Sequence, residues 1–149
     1  MSQSISIVVV DDDQLVAECV GALCEALLGA KVLGFATNGE DGLALIERYH
    51  PQIALVDLCM PTLSGIDVVI EARMRQLPTR CVILTGSPDE LSCLTAMRAG
   101  AAGYLLKTSV IDELPLALSE VSSGNTYVTP TFRCVLDDLT MNPLEASAT

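Results

Sequence analysis

Short apolar runs alternate with longer stretches of helical spacing. Ile5 to Val10 is an unbroken, mostly β-branched run, the pattern of a strand buried on both faces. Gln14 to Leu28 follows as a helix, with Leu15, Cys19, Leu23 and Leu27 near one stripe, Asp13 as a candidate cap and Gly29 as a stop. The alternation then recurs. Lys31 to Ala36 reads as a strand weakened by Gly34, and Gly39 to Tyr49 as a helix capped by Asn38 and broken at Pro51. Ile53 to Val56 is a strand ending at Asp57, and Pro61 to Gly65 a loop leading to a helix over Ile66 to Arg75. Cys81 to Leu84 is a strand ending at Thr85. A helix capped by Ser87 or Asp89 then runs to Ala99 and closes at Gly100. Gly103 to Leu106 is a fifth strand, followed by Lys107, and Ile111 to Ser122 is a fifth helix stopped by Gly124.

Strands alternating with helices of this length predict an α/β fold with helices on both faces of a parallel sheet. Right-handed crossovers and five strands predict a doubly wound, flavodoxin-like (βα)5 sheet of order 2-1-3-4-5. The repetition is architectural, without a sequence repeat of fixed period. The pattern covers residues 1–124; residues 125–149 are expected to be a C-terminal extension or linker. In it, the apolar residues between Thr126 and Leu139 either pack back or form one more helix, and Thr140 to Thr149 is a polar tail.

Composition narrows the reading. A chain of 149 residues that is 50% hydrophobic suits one domain with a substantial core. Only 3% of residues are aromatic and Trp is absent, so aliphatic residues must build that core. Eight basic against 19 acidic residues give a net charge of −11, which argues against direct binding to nucleic acid or to anionic membranes. The six cysteines (Cys19, Cys24, Cys59, Cys81, Cys93 and Cys134) form no Cys-x-x-Cys pair, which argues against a disulfide framework or a zinc site. His50 precedes Pro51 in a turn with no ligand partner in view. No signal peptide and no membrane-spanning apolar run is legible, so a reduced cytoplasm is the expected compartment.

Ligands in open α/β sheets bind at the carboxyl ends of the strands. Here those ends carry Asp11, Asp12 and Asp13 after strand 1, Asp57 after strand 3, Thr85 after strand 4 and Lys107 after strand 5. In the order 2-1-3-4-5 these ends are neighbours, so the residues converge. Grouped carboxylates need a cation, and hard oxygen ligands with open positions suit Mg2+. A carboxylate nucleophile can form an acyl phosphate, with a metal, an ammonium and a hydroxyl neutralising the phosphoryl oxygens. Taken singly, each residue has a plainer reading. The acidic run could cap a helix, Asp57 could be a turn residue, and Thr85 and Lys107 could be a strand-end hydroxyl and a solvated charge. Tyr104 alone could be a half-buried packing residue. Their joint occurrence at four strand ends favours a shared site.

Four segments, in order, resemble the signature blocks of response-regulator receiver domains: Val9-Val10-Asp11-Asp12, Leu55 to Pro61, Val82-Ile83-Leu84-Thr85-Gly86 and Gly103 to Lys107. The resemblance spans about Ile5 to Gly124. It implies Asp57 as phosphoacceptor, Asp11, Asp12 and the main-chain carbonyl of Cys59 as Mg2+ ligands with Asp57, and Thr85 and Lys107 as partners of the phosphoryl group. It implies Tyr104 as the aromatic whose rotamer follows that state. Ala102 to Lys107 and Ser122 to Pro130 are most similar to receivers that precede a LuxR-type helix-turn-helix. The implied partners are a sensor histidine kinase or phosphotransfer protein, a second copy on phosphorylation, and DNA only through a C-terminal domain not found in this sequence. The implied output is regulation of transcription, with no enzymatic turnover beyond self-phosphorylation and autodephosphorylation. A stand-alone receiver working by protein contacts stays open, as does the choice of dimer face.

The sequence departs from the family at several points. Asp13 and Gln14 stand where many such receivers have His and Pro, and Thr108 stands where many have Pro. Cys59 and Ser87 occupy the positions that tune dephosphorylation. A haloacid dehalogenase-type phosphohydrolase is the rival chemistry, but it expects a carboxylate two residues after the nucleophile, where this chain has Cys59.

Overall fold

Apolar side chains at every position of a strand can be buried only if both sheet faces are covered, and the chain does this with helices. The structure, a computed structural model, describes residues 4–87 and 89–132. In chain order the elements are β1 (Ser6–Val10), α1 (Gln14–Leu28), β2 (Lys31–Ala36), α2 (Gly39–Tyr49), β3 (Ile53–Asp57), α3 (Gly65–Met74), β4 (Arg80–Thr85), α4 (Glu90–Ala99), β5 (Gly103–Leu106), α5 (Val110–Ser122) and β6 (Tyr127–Val128). Every strand pair is parallel, in the order β2-β1-β3-β4-β5-β6.

Alternation along each strand splits the core in two. Val8 and Val10 of β1 join Leu43 and Ile46 of α2, Val68 and Ala72 of α3, and Cys93 and Ala96 of α4. Ile7 and Val9 join Ala17 and Val20 of α1 and Leu114 and Leu118 of α5 on the other face. The α/β, flavodoxin-like fold and the order of its first five strands are as the alternation predicts.

Local signals set the boundaries. Asp13 caps α1 by accepting from the amides of Leu15 and Val16, and Gly29 ends it at φ 62°. Asn38 accepts from Asp41 N at 2.8 Å to open α2, and His50 ends α2 in a left-handed conformation at φ 44°. Ser64 and Asp67 form a reciprocal capping box, which starts α3 at Gly65 rather than Ile66. Asp89, of the two candidates, caps α4. The Lys107–Thr108 peptide is trans, and a 3-10 turn over Lys107–Ser109 leads into α5.

The sheet continues past Gly124, where the sequence pattern ends. Tyr127–Val128 adds a sixth strand to the outer edge of β5, in the register Gly103↔Tyr127 and Tyr104↔Val128. Of the apolar residues expected to pack back, Tyr127, Val128 and Phe132 are buried. Val135, Leu136, Leu139, Cys134 and the tail from Thr140 lie outside the described residues. Cys24, Cys81 and Cys93 are buried and Cys19 and Cys59 are exposed, with no disulfide among the described residues. No described helix is long and apolar enough to cross a membrane.

Candidate functional site

β1 and β3 are neighbours, so the residues that end them are held side by side. Asp11 leaves β1 with its amide bonded to Ala36 O at 3.0 Å, and Asp57 is the last residue of β3. Both are buried, whereas Asp12 is exposed at the rim. One carboxylate oxygen from each of Asp11, Asp12 and Asp57 lies within 4.8 Å of the others. Asp13 is turned away to cap α1, and its own amide donates to Asp11 Oδ1 at 2.9 Å, which orients that carboxylate.

Lys107 reaches this cluster from the far side of β4. Its Nζ lies 2.9 Å from Asp11 Oδ2 and 3.1 Å from Asp57 Oδ1. Burial pushes the Asp57 carboxyl up to about 6, the Lys107 ammonium works against that rise, and the Asp11 and Asp12 charges add to it. Burial pulls the Lys107 ammonium down, but its hydrogen bonds with Asp11 and Asp57, together with their charges, hold it above its ordinary value. One cation thus faces three carboxylates, which leaves a net negative cradle of hard oxygen ligands. That donor set fits a small divalent cation such as Mg2+.

The loop after β3 is fixed by close packing. Leu58 N donates to Leu84 O at 2.9 Å, and Gly65 N donates to Leu58 O at 2.8 Å. A Cβ on Gly65 would lie 2.5 Å from the main-chain oxygen of Asp57, so only glycine lets α3 start this close to the acidic cluster. Cys59 is exposed in a groove shared with Asp12, Met60 and Ser64, and its carbonyl receives no backbone N–H among the described residues.

Thr85 and Tyr104 stand apart from the carboxylates. Thr85 is buried at the end of β4, where its hydroxyl accepts from Ser87 N at 3.1 Å and is 3.3 Å from Ser87 O. Tyr104 is fully buried, with its ring edge-on to Phe132 at 5.3 Å and 85°. Burial pushes its phenol up to about 12; the Cys93 thiol adds to the rise, and Thr85 opposes it. The Thr85 hydroxyl is bonded to Ser87, and Tyr104 Oη does not meet it in bonding geometry. That oxygen is buried with no hydrogen-bond partner among the described residues.

The structure therefore gathers Asp11, Asp12, Asp57 and Lys107 into one cluster, with Cys59 beside it, Thr85 at the end of the intervening β4 and Tyr104 on β5, the strand that Lys107 follows. Sequence reasoning missed the packing role of Gly65 and the bond from Thr129 to β5, and expected of Phe132 only that it pack back or join a further helix. Gly65 carries a signal in the capping pattern Ser64-Gly65-Ile66-Asp67; Thr129 has none short of the pairing of β6, and the apolar character of Phe132 does not say what it packs against.

The family model of the response regulator receiver domain matches residues 7–119. The nitrate/nitrite response regulator NarL of Escherichia coli strain K12 is 32% identical over 131 residues, covering 88% of this chain and 61% of that protein. The response regulator GacA of Pseudomonas aeruginosa is 31% identical over 126 residues, covering 85% of this chain and 59% of that one. The chain thus spans about three fifths of the length of these relatives. Among solved structures, the signal receiver domain of NarL from Mycobacterium tuberculosis superposes with a TM-score of 0.78 at 33% identity, covering 83% of this chain and all of that one. A LuxR-family two-component response regulator from Aurantimonas sp. SI85-9A1 superposes with a TM-score of 0.85 at 27% identity, covering 93% and 99%. The family match spans most of the described fold, and on that ground the chain belongs to the response regulator receiver domains, of NarL/LuxR type.

Proposed function

We propose that the protein is a phosphorylation-controlled switch in which Asp57 accepts a phosphoryl group. The observation that carries this reading is the Lys107 ammonium bridging Asp11 and Asp57 beside the exposed carboxylate of Asp12. A carboxylate oxygen of Asp57 attacks the phosphorus of a phosphorylated histidine or a small acyl phosphate. The new P–O bond forms as the donor's P–N or P–O bond breaks, and the donor leaves with the bonding electron pair. Lys107 exchanges part of its pairing with Asp57 for the phosphoryl oxygens. The Thr85 hydroxyl leaves Ser87 to donate to the same group. Asp11, Asp12, Asp57 and the Cys59 carbonyl would hold Mg2+, which supplies charge neutralisation between the phosphoryl oxygens and the acidic cluster.

The expected phosphodonor is a sensor histidine kinase or a phosphotransfer protein, and the expected compartment is the cytoplasm. Turnover of separate substrates is not part of the reading; the chemistry is self-phosphorylation and autodephosphorylation. Residues 1–124 act as the receiver unit and residues 125–149 as the extension towards an output. A further relative, DegU of Brevibacillus brevis, is named a transcriptional regulatory protein, and the same output for this protein would need a helix-turn-helix domain beyond the present chain. Exposed Leu91 on α4, Ile111 and Leu116 on α5, and Leu15 on α1 offer apolar contacts for a homodimer through either α4 with α5 or α1 with α5.

A phosphate-affinity gel with acetyl phosphate, with and without Mg2+, tests the reading. A Mg2+-dependent shifted band that Asp57→Asn loses supports it. An equal yield in Asp57→Asn contradicts it.

A further inference from the structure

β5 is only four residues long, and it carries both Tyr104 and, at its end, the lysine of the acidic cluster. Its inner edge pairs with β4. Its outer edge leaves main-chain groups that need partners. The segment after α5 supplies them. Thr129 N donates to Tyr104 O at 3.0 Å, and Leu106 N donates to Thr129 Oγ1 at 3.1 Å. Thr129 is itself buried, which shields its side of these two bonds from water. The chain then turns, with Phe132 N donating to Thr129 O at 2.8 Å, and places the fully buried Phe132 ring edge-on against Tyr104. The segment is tied down further by Tyr127 Oη to Glu113 at 2.8 Å and by Arg80 Nη2 to Asn125 O at 3.0 Å.

Tyr104 has a reason to leave this position. Its hydroxyl is buried with no hydrogen-bond partner among the described residues, a cost that an outward ring would relieve in water. The Phe132 ring offsets that cost through packing and edge-to-face contact. Thr129 meanwhile fixes the backbone amide immediately before Lys107.

We propose that Thr129 and Phe132 are positioning residues for the Asp57 site: they hold Tyr104 inside the fold and pin the end of β5 that presents Lys107. This rests on the reading of Asp57 as the phosphoacceptor. Because coupling is reciprocal, a phosphoryl group at Asp57 tightens the docking of Tyr127 to Phe132 by the factor by which that docking tightens the site. The segment following α5 is then the route by which the state of Asp57 reaches whatever lies further along the chain.

The test uses the full chain with labelled tyrosine rings, the Tyr104 signal being assigned through Tyr104→Phe. Beryllofluoride with Mg2+ serves as the phosphoryl probe for wild type, Phe132→Ala, Thr129→Val and Thr129→Ser. Phe132→Ala and Thr129→Val should weaken apparent beryllofluoride affinity by about 2- to 10-fold, the range an aromatic edge contact or one hydrogen bond spans. The Tyr104 ring signal should also move towards the solvent-exposed position before any probe is added. Thr129→Ser, which keeps the hydroxyl, restores both. A lower melting temperature with wild-type affinity and an unmoved Tyr104 ring overturns the proposal, because that is what a merely structural segment gives. If wild type itself fails to bind beryllofluoride, the phosphoacceptor reading falls. The unliganded Tyr104 signal in Phe132→Ala then still decides whether Phe132 holds the ring.

Discussion

Lys107 Nζ stands 3.1 Å from Asp57 Oδ1, which joins the ends of β5 and β3 across the intervening β4. A single ammonium thereby compensates charge contributed by two other strands, and several measurable properties depend on this contact.

The first concerns pH. Asp57 titrates near 6 in the folded, metal-free protein against an ordinary 3.8, chiefly because it is buried. The folded state therefore binds more protons than the unfolded state between those values, and wild-type stability falls as pH rises through that window. Above it Asp57 is a charged burden. Asp57→Asn should stabilise the metal-free protein by about 1–2 kcal/mol near neutrality, after discounting for solvent screening. The gain should fade as pH falls towards 4. Urea denaturation in chelator across this range checks it, and equal stability at all pH values would contradict it.

Removing the cation should act in the opposite sense. Lys107→Met leaves the buried Asp11 and Asp57 carboxylates facing each other, at a cost of about 2–4 kcal/mol. Mg2+ should recover part of the loss by taking over the neutralisation. Denaturation curves with Mg2+ and with chelator give both numbers.

Close packing at the loop after β3 gives a contrast between two glycines. Gly65→Ala drives a methyl into the Asp57 carbonyl and should cost about 1–3 kcal/mol, with slower phosphorylation from acetyl phosphate. Gly86→Ala meets open space and should change stability by no more than about 0.5 kcal/mol. Thermal unfolding of the pair settles the comparison.

Much of this was legible in the sequence. Unbroken apolar runs at Ile5 to Val10 and Cys81 to Leu84 could be buried on both faces only in a helix-covered parallel sheet, and that topology places Asp11, Asp57 and Lys107 together. β6 was not legible, because Tyr127–Val128 is too short to show periodicity and pairs only because the edge of β5 is free. Without β6, neither the link from Thr129 to Leu106 nor the Phe132 contact with Tyr104 could be read. The direction of the Thr85 hydroxyl was hidden for a similar reason. Its choice of Ser87 over the carboxylates depends on how the loop after β4 folds back.

Asp12 separates metal binding from folding. It is exposed and makes no ion pair among the described residues, so Asp12→Asn should leave stability in chelator within about 0.5 kcal/mol of wild type. Mg2+ should raise the melting temperature of wild type, and that rise should disappear in this variant, since ligand binding to the folded state alone would supply it. A rise equal to that of wild type would remove Asp12 from the ligand set.

The central claim is that Asp57 carries the phosphoryl group, and chemical trapping tests it most directly. After acetyl phosphate and Mg2+, borohydride reduces an acyl phosphate to the alcohol, and peptide mass spectrometry locates the residue changed. Homoserine should appear at position 57, dependent on Mg2+, and at neither position 11 nor position 12. Unmodified Asp57, with the label on another residue, would contradict it.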